Sequence, residues 1–564
     1  MKIIGINFLS ESSVCLLENG DIKYAISQER LNRKKNWYGI PFESINHVLK
    51  NTNNKEQDID YFTTFGLSAI LKDVPDKKIY DKKELEINNS NLRPLKKKNQ
   101  IKFLRKRYDH EKEVIWVRTK RLLNKLKKKY QKKLKIYDHH TAHAASALYF
   151  SGWKNCYVLT IDGWGDNSSS KFFKAVNGKL NEICSTSTID SLGYFYGSIT
   201  KLLGFKPHQH EGKILGLASY GNAKKTYRDI SKMISFNRKN NSFVGNFDKG
   251  IYLPRFDNHN LNFLKKKYTR EDICAATQKR LEDVVIQFIK NIKDNNFYIA
   301  LAGGIFANVK LNQKILELKK VKDVFIFPNM GDGGLSIGTA LLCHYEKKKY
   351  EKKKLNNLYL GPEYSSDEIL KEIKKNKLNY KQFKYVEREI AIELNRGKVV
   401  ACFQNRMEFG PRALGNRSIL CRATDIKIND WLNKKLKRTE FMPFAPVVLE
   451  KFAKELFVGF KKSHRNSRFM TITYKCKPKM VRQSPAAVHV DNTARPQIIN
   501  SKVNLKMYKI LSEYYLVSKI PTLINTSFNM HEEPIVCSPK DSIRAFKDSK
   551  IDYLYIGNYL VKKS

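Results

Sequence analysis

The stretch Phe297-Tyr-Ile-Ala-Leu-Ala-Gly-Gly, residues 297–304, joins an apolar run to a glycine pair, and a helix is predicted to begin at Phe306. An apolar strand that passes through a glycine turn into a helix is the repeating unit of an α/β sheet. The same order returns where residues 324–328 lead through Gly331-Asp-Gly-Gly into a helix predicted from Leu335. Such turns present backbone N–H groups that can bind phosphate. Further strands are predicted at 1–7, 14–18, 21–27 and 156–162, so the alternation indicates an α/β fold as far as Cys343.

The length of the chain exceeds what one hydrophobic core accommodates, so two or more domains are expected for its 564 residues. The charged, low-complexity segment 346–356 has no apolar face and is interpreted as a linker. It separates a first domain, 1–345, from a second α/β domain, 357–564. Strands of the second domain are predicted at 398–403, 522–525 and 553–556.

Composition indicates a folded protein of a reducing compartment. Hydrophobic residues make up 41% of the chain, and its nine cysteines are scattered with no Cys-X-X-Cys pair. An odd number of dispersed cysteines is typical of reduced thiols rather than of a disulfide framework. No run of eighteen apolar residues and no signal-peptide pattern is found, so a cytoplasmic protein without a transmembrane segment is expected.

The net charge of +50 is unusually high. A uniform Lys, Asn and Ile bias, as an AT-rich genome produces, accounts for it without any partner. A nucleic acid, an anionic membrane or an acidic substrate would also benefit from such a charge. The excess is concentrated in residues 93–135, which hold nineteen Lys or Arg against three Asp or Glu. Spaced apolar residues predict helix there, and the segment could make peripheral contact with a membrane or another acidic surface.

Two histidines four residues apart, His139 and His143, predict a metal site. On a helix this spacing puts both imidazoles on one face, within reach of one ion. A zinc-protease motif is excluded because the residue after His139 is His140 and not a glutamate. Asp162 and Asp332, each at the end of an apolar run, are the candidate carboxylate ligands, and the set suits iron(II), manganese or zinc. The alternative is that the histidines cap or line a packed helix without metal.

The second domain predicts an anion site. Four arginines lie in loops rich in glycine, proline and aromatic residues, beside the hydroxyl and amide donors of 525–529: Arg412, Arg417, Arg438 and Arg495, with Ser527 and Asn529. Forked guanidinium groups suit a small anion with several oxygens. Catalysis there would rest on positioning and charge neutralisation, as phosphoryl and acyl-phosphate chemistry allows. The alternative for any one arginine is a surface salt bridge.

Four motifs in order resemble the O-carbamoyltransferases of the NodU/CmcH type. They are Asp138-His-His-Thr-Ala-His-Ala-Ala-Ser-Ala, Glu211-Gly-Lys-Ile-Leu-Gly-Leu-Ala-Ser-Tyr-Gly, Glu408-Phe-Gly-Pro-Arg-Ala-Leu-Gly-Asn-Arg-Ser-Ile and Asn525-Thr-Ser-Phe-Asn. The resemblance implies an N-terminal domain of the actin/sugar-kinase superfamily, similar to the catalytic subunit of tRNA threonylcarbamoyl transferase. It implies a YrdC-like C-terminal domain.

The resemblance also implies a mechanism. The YrdC-like domain would make carbamoyl-adenylate from carbamoyl phosphate and ATP with Mg²⁺, and the N-terminal domain would transfer the carbamoyl group to a substrate hydroxyl. A divalent metal, expected to be Fe²⁺, would act as a Lewis acid. By the same resemblance, His139, His143 and Asp332 would bind the metal, with Asp162 a fourth ligand or a nucleotide contact. Gly303, Gly304 and Gly333 would cradle the adenylate, with Lys213 as a nearby positive charge. The four arginines above, with Ser527 and Asn529, would bind phosphate.

The chain departs from the family pattern near its N-terminus. Leu9-Ser-Glu-Ser-Ser stands where Gly-His-Asp-Ala-Ser is usual, and Lys35-Asn36 stands where a Lys-His pair is usual. A general base for the acceptor hydroxyl needs a pKa near the working pH, which serine and asparagine lack. Glu11, or a histidine such as His208 or His210, is expected to take that role, unless the acceptor differs.

These features predict an ATP-dependent carbamoyltransferase that acts on a hydroxyl of a sugar or sugar-derived metabolite, with a small-molecule or saccharide acceptor that could be anionic. One alternative is a tRNA-modifying carbamoyl or threonylcarbamoyl transferase, which the net charge favours, although nucleic acid is not the expected partner. Another is a non-catalytic paralogue that binds a ligand or partner.

Overall fold

The computed structural model describes residues 1–66, 77–246, 259–383, 385–428, 444–461 and 465–563. The chain forms two compact units. The first unit contains Met1–Ser10, Leu17–Asp21 and Gln57–Lys354, and the second contains Glu11–Leu16, Ile22–Glu56 and Leu355–Ser564. The division at Lys354 falls within the charged segment 346–356. Within the described residues, no helix combines the length and apolarity that a membrane span requires.

Strands account for the sheets of both units. In chain order they are β1 (Lys2–Asn7), β2 (Ser13–Glu18), β3 (Asp21–Ser27), β4 (Tyr61–Phe65), β5 (Leu134–Tyr137), β6 (Cys156–Gly165), β7 (Ser168–Val176), β8 (Lys179–Ser187), β9 (Ile234–Asn237), β10 (Ser242–Gly245), β11 (Phe297–Ala302), β12 (Val321–Ile326), β13 (Tyr380–Gln382), β14 (Val400–Phe403), β15 (Arg417–Arg422), β16 (Ala445–Leu449), β17 (Tyr474–Lys475), β18 (Thr493–Ala494), β19 (Gln497–Ile499), β20 (Thr522–Ser527), β21 (Tyr553–Ile556) and β22 (Tyr559–Lys562).

Helices alternate with these strands. They are α1 (Gln28–Asn32), α2 (Phe42–Asn51), α3 (Lys77–Asn88), α4 (Pro94–His110), α5 (Val117–Tyr130), α6 (His139–Ser151), α7 (Leu192–Leu202), α8 (Glu211–Ala218), α9 (Ala223–Ile230), α10 (Asn262–Lys267), α11 (Arg270–Lys290), α12 (Val309–Leu316), α13 (Leu335–Lys347), α14 (Ser366–Lys375), α15 (Val386–Asn395), α16 (Ala453–Leu456), α17 (Pro478–Gln483), α18 (Leu505–Ser518) and α19 (Pro539–Asp548).

The first unit is built on parallel strands. β1, β4 and β5 pair in parallel, as do β6, β11 and β12, with β7 and β8 continuing the second sheet antiparallel. The apolar residues of β6 and β11 pack with helix α11 in one core, to which Leu159, Leu301 and Phe288 belong. Burial of all but one residue of β11 explains why its sequence shows no alternation.

Helices α6 and α13 approach each other closely in this unit. A Cβ atom at Gly338 of α13 would lie 1.9 Å from the carbonyl oxygen of Ala142 in α6. Only glycine at position 338 allows this contact. The pairing matters because α6 carries the two candidate histidines and α13 follows the turn that contains Asp332.

The second unit contains an eight-stranded mixed sheet in the order β13-β22-β21-β14-β15-β20-β16-β19. Its core joins Val400, Leu420 and Tyr555 of the sheet to Ile390 of α15 and Leu511 of α18. The three strands that we predicted here are β14, β20 and β21. The predicted mixed α/β class is thus confirmed.

Two predicted helix starts had different outcomes. Helix α13 begins at Leu335, as predicted. The helix predicted from Phe306 begins instead at Val309, because residues Gly304–Ala307 form a tighter 3₁₀ turn and the side chain of Asn308 caps the helix. The predicted helical character of 93–135 is confirmed for Pro94–Tyr130 by α4 and α5, which a π-helical turn at Glu111–Trp116 connects, whereas strand β5 begins at Leu134.

Candidate metal centre and anion site

The two histidines lie at the start of helix α6, whose first turn is held by carboxylates. The side chain of Asp138 accepts hydrogen bonds from the backbone N–H and the hydroxyl of Thr141, and Asp166 accepts one from the backbone N–H of His139. This is N-capping, which fixes where the helix begins. Because the cap sets the helix start at His139, both imidazoles project from its first two turns.

The two carboxylates reach the histidines from the sheet. β6, β11 and β12 are parallel, so their carboxyl ends meet at one edge. Asp162 lies near the end of β6, where its carboxylate accepts hydrogen bonds from the N–H groups of Gly163 (2.7 Å) and Gly304 (3.2 Å). Asp332 follows β12 in the turn that opens α13, and its carbonyl oxygen accepts a hydrogen bond from the side chain of Asn7 at 2.9 Å.

These four side chains converge. One ligand atom from each of His139, His143, Asp162 and Asp332 can be chosen so that all lie within 4.8 Å of one another. The Nε2 atom of His143 lies 3.2 Å from a carboxylate oxygen of Asp162 and 3.6 Å from one of Asp332. The Nε2 atom of His139 lies 4.0 Å and 3.7 Å from the same two groups.

The residues of this cluster fit a divalent cation. The side chains of His139 and His143 are only 2% and 1% exposed, and none of their four ring nitrogens makes a hydrogen bond of good geometry among the described residues, although the Nε2 atoms face the two carboxylates. Buried polar atoms without partners are costly. A cation bound by two imidazoles and two carboxylates removes that cost and is the donor set that iron(II), manganese and zinc accept.

The electrostatics of the cluster are those of a site with two anions facing two imidazoles. Burial alone would lower the pKa of His143, but the carboxylates of Asp162 and Asp332 raise this pKa to about 9. Burial would raise the pKa of Asp162, but the two histidines hold it well below its usual range. A cation would therefore replace a proton on His143 when it binds.

His140, between the two candidate ligands, has a structural role. Its ring nitrogens are within hydrogen-bond distance of the Thr160 hydroxyl (3.0 Å) and the Ser168 carbonyl oxygen (3.1 Å). Burial lowers the pKa of His140 to about 3, so it is neutral. His140 is therefore a histidine packed against the neighbouring strands, and both of its ring nitrogens have partners.

Glycines allow the backbone to approach the cluster. Gly303 has a φ of +99°, and a Cβ atom there would lie 2.2 Å from the carbonyl oxygen of Ile161. The next residue, Gly304, donates its N–H to Asp162, and Gly333 directly follows Asp332. The predicted cradle glycines therefore adjoin the candidate ligands. Sequence reasoning missed Gly165, whose backbone also lies against the cluster. A Cβ atom at this position would lie 2.2 Å from Cδ2 of His139.

Other predicted residues are placed without a contact that assigns their role. Lys213 lies on α8 with its ammonium 5.6 Å from the centroid of the Phe205 ring. His210 precedes that helix and accepts a hydrogen bond from the N–H of Lys206. Glu11 belongs to the second unit and has a positive φ of 53°. The roles predicted for these residues stay predictions.

In the second unit, Arg412 and Arg495 form a pair of uncompensated charges. Both side chains are partly buried, and burial lowers the pKa of each. The charge of Arg412 lowers the pKa of Arg495 further, so the two guanidiniums repel each other electrostatically. No hydrogen bond or ion pair joins either side chain to any residue that the structure describes. Two adjacent guanidiniums without a counter-ion are a site for an anion with several oxygens.

Two amide side chains hold the loop of Arg412. Gln497 donates to the carbonyl oxygen of Leu414 at 2.8 Å, and Asn525 donates to that of Ala413 at 3.3 Å. Asn525 also donates to Gln497 at 2.7 Å. Since Gln497 lies two residues after Arg495, this network ties the backbone near one arginine to the backbone near the other. Sequence reasoning missed Gln497, whose only signal was its place beside Arg495.

Arg417 is placed differently from our expectation. It is fully buried, and its guanidinium donates to the carbonyl oxygens of Gln404, Asn405, Asn416 and Pro362 at 2.6 to 3.3 Å. It also stacks 3.7 Å from the centroid of the Phe403 ring. Arg417 thus supports the loop from within, and we do not carry it into the candidate anion site.

Three other predicted residues of this unit have separate outcomes. Ser527 is the last residue of β20 and pairs with Ser418 of β15. The side-chain amide of Asn529 donates to the carbonyl oxygens of Met530 and Glu533 at 2.8 and 2.9 Å, so it holds its own turn. Arg438 lies outside the described residues.

Comparison with known proteins identifies the family. The model of the carbamoyltransferase N-terminus matches residues 2–341, and that of the carbamoyltransferase C-terminus matches residues 391–563. Protein MJ1058 of Methanocaldococcus jannaschii is 35% identical over the full length of both chains. Nodulation protein NolNO of Sinorhizobium fredii is 28% identical over 99% of this chain and 79% of its own.

Among solved structures, HypF of T. kodakarensis resembles 62% of this chain over 48% of its own, at 10% identity and a TM-score of 0.33. The two family models together span both units, so the two-domain carbamoyltransferase architecture is confirmed. The chain belongs to the carbamoyltransferase family.

Proposed function

We propose that this protein is an ATP-dependent O-carbamoyltransferase that carbamoylates a hydroxyl of a sugar or sugar-derived metabolite. In this proposal the second unit acts as a YrdC-like domain that forms carbamoyl-adenylate from carbamoyl phosphate, ATP and water, with release of phosphate and pyrophosphate. The first unit acts as an actin/sugar-kinase-like domain that transfers the carbamoyl group. The reaction is assigned to the cytoplasm, in keeping with nine cysteines that are all free thiols.

The observation that carries the proposal is the convergence of His139, His143, Asp162 and Asp332 in a chain of this family. A divalent metal, proposed to be Fe²⁺, would be held by these residues and would supply Lewis-acid polarisation of a carbonyl. The glycine turn at 303–304 lies beside the cluster, where the N–H of Gly304 donates to Asp162 and that of Gly303 to the carbonyl oxygen of Met330. In this proposal the adenylate lies against this side-chain-free stretch of backbone. The four side chains would hold the metal, and no side chain of the protein forms a covalent intermediate with the carbamoyl group.

The arginine pair supports the adenylate-forming step. Carbamoyl phosphate and ATP are anions with several oxygens, and Arg412 and Arg495 are guanidiniums without a protein partner in the described residues. Neutralisation of phosphate charge lowers the barrier to attack and to departure of pyrophosphate. We propose Mg²⁺ as the companion of ATP, and Glu11 as the group that accepts the proton of the acceptor hydroxyl.

Product analysis tests the reaction. The protein is incubated with ATP, carbamoyl phosphate, Fe²⁺, Mg²⁺ and a panel of hydroxylated metabolites, and AMP, pyrophosphate and carbamoylated products are measured by mass spectrometry. Replacing the hydrogen of a hydroxyl by a carbamoyl group adds about 43 Da, so the proposal expects a product about 43 Da heavier than one acceptor. Two results would contradict O-transfer: carbamoylation of an amine, or accumulation of AMP without carbamoylation of any compound in the panel.

A further inference from the structure

A cavity of about 410 Å³ lies in the first unit, lined by residues of helix α4 and by residues within 229–233 and 260–264. Gln100 and Phe103 line it from α4, and Met233, Phe263 and Leu264 line it from the other side. Its volume is within the range of small-molecule sites. None of its lining residues belongs to the histidine–aspartate cluster or to the glycine turns beside it.

Gln100 is the buried polar residue among those that line the cavity. The side chain of Gln100 is only 6% exposed, and its amide makes no hydrogen bond to any described residue. Because Gln100 lines the cavity and its amide bonds no described residue, a ligand that offers a donor and an acceptor can bond this amide. An amide in this position indicates a ligand with hydrogen-bonding edges.

Aromatic and cationic side chains frame the same space. Phe263 is 46% exposed although it is a large hydrophobic residue, and Phe103 lines the cavity from α4. Two ammonium groups line the cavity, those of Lys96 and Lys232. The single carboxylate in the wall, Asp229, already accepts a hydrogen bond from Tyr268 and lies 3.6 Å from the Lys232 ammonium.

From this combination we propose that the cavity is a second ligand site, which binds a nucleoside phosphate. The flat base stacks on the phenylalanine rings, the Gln100 amide bonds the edge of the base, and the lysines bind the phosphate. The nucleotide could come as a free mononucleotide or as the nucleotide end of a sugar conjugate. This inference does not depend on the carbamoyl transfer proposed above.

Binding measurements with matched variants test the site. Isothermal titration of the full-length protein uses four probes: UMP, AMP, UDP-glucose and inorganic phosphate. Gln100→Leu removes the amide and keeps an apolar side chain of similar length, and Lys232→Gln removes a cation. Lys98→Gln is the control, because Lys98 is exposed on α4 and does not line the cavity.

The expected result is saturable binding of at least one nucleotide, with inorganic phosphate much weaker. Each cavity variant should raise the Kd at least about tenfold, since each loses one hydrogen bond to a polar or charged group. The Lys98→Gln variant should keep the wild-type Kd, because its side chain does not line the cavity. Gln100→Leu should melt at a temperature close to that of wild type, because the amide bonds no described residue.

The source of the nucleotide follows from the relative affinities. Tighter binding of UDP-glucose than of UMP supports a conjugate, and equal binding supports a free nucleotide. Wild-type affinity in both cavity variants would overturn the proposal. Binding that is lost in Arg495→Gln but kept in Gln100→Leu would also overturn it, since the nucleotide would then occupy the anion site of the second unit.

Discussion

At the residue scale, the candidate metal centre contains two buried imidazoles whose nitrogens make no hydrogen bond of good geometry to the described residues. The nitrogens of His140 on the same turn are satisfied by Thr160 and Ser168, while those of His139 and His143 are not. This contrast within one helical turn is why we assign the metal to the outer two histidines.

The first prediction concerns His143→Ala. Loss of one of four ligands should reduce bound iron, after reconstitution and desalting, from one equivalent to less than about a tenth, because a three-ligand remnant binds far more weakly. Metal content by plasma mass spectrometry checks this. His344→Gln, a buried histidine of α13 outside the cluster, should retain its iron. Full metal occupancy in His143→Ala would contradict the assignment.

Most of the candidate metal centre was predictable from sequence. The spacing of His139 and His143 defines one face of a helix, Asp162 lies near the end of one buried strand, and Asp332 follows another. The remainder depends on tertiary contacts. A charged residue type gives no information on whether carbonyl groups will surround it, so the enclosed setting of Arg417 could not be read from its motif. The support that Asn7 gives to Asp332 joins residues more than three hundred positions apart.

At the element scale, helix α6 is placed by close backbone contacts as much as by its cap. Gly338 of α13 and Gly165 at the end of β6 each allow an approach that a side chain would block. The sequence predicted the strands and most helices of this region, because their apolar patterns are long. It misplaced the start of α12, since a 3₁₀ turn and a helical turn share one pattern over four residues.

Gly165→Ala tests whether ring placement matters to the metal site. The added methyl group would lie 2.2 Å from Cδ2 of His139, so the imidazole must move although all ligands remain. We expect metal affinity to fall by about 10- to 100-fold, as when groups that orient ligands are lost. Competition with a chromophoric chelator measures this. Gly212→Ala, where a Cβ atom meets nothing within 4 Å, should bind metal as wild type does. Equal affinities in the two variants would show that the ring is not held in place by this contact.

The basic helices α4 and α5 are attached to the first unit through a buried network. Arg107 and Glu111 form an ion pair at 3.0 Å with both side chains 1% exposed, and Tyr80 donates to Glu111 at 2.6 Å. Arg107 also donates to the carbonyl oxygens of Thr188 and Ile189.

Glu111→Ala should therefore leave a buried, uncompensated charge and destabilise this region by ~3–5 kcal/mol. Hydrogen exchange of α4 by mass spectrometry measures the loss. The control is Arg105→Ala, which removes the exposed pair with Glu84 and should cost less than ~1 kcal/mol. A similar small effect for both variants would mean that the network does not hold the helix.

At the scale of the whole molecule, the charge of +50 and the two-unit organisation are the main features. Residues 22–56 belong to the second unit together with residues 355–564, which are distant in the sequence. No local sequence pattern indicated this assignment. The charge by itself does not identify a partner.

We propose that the exposed lysines of α5 bind an anionic surface. Replacement of Lys127, Lys128 and Lys129 by glutamine should reduce binding to phosphatidylserine vesicles about a hundredfold, since each lysine near such a surface contributes ~1 kcal/mol and ~1.4 kcal/mol corresponds to a factor of ten. Vesicle sedimentation at two salt concentrations measures this. The control variant replaces three exposed lysines elsewhere, Lys348, Lys349 and Lys352. An equal reduction in both variants would indicate an effect of net charge alone.

The measurement that tests the central claim most directly separates the two steps in two variants. AMP and pyrophosphate release and carbamoyl transfer are assayed together in wild type, Arg495→Gln, His143→Ala and the control Arg544→Gln, whose arginine forms exposed ion pairs with Glu533 and Asp548. We predict that Arg495→Gln loses both activities by at least about a hundredfold, that His143→Ala loses only transfer, and that the control keeps both. Undiminished transfer in His143→Ala, or undiminished AMP release in Arg495→Gln, would contradict the account.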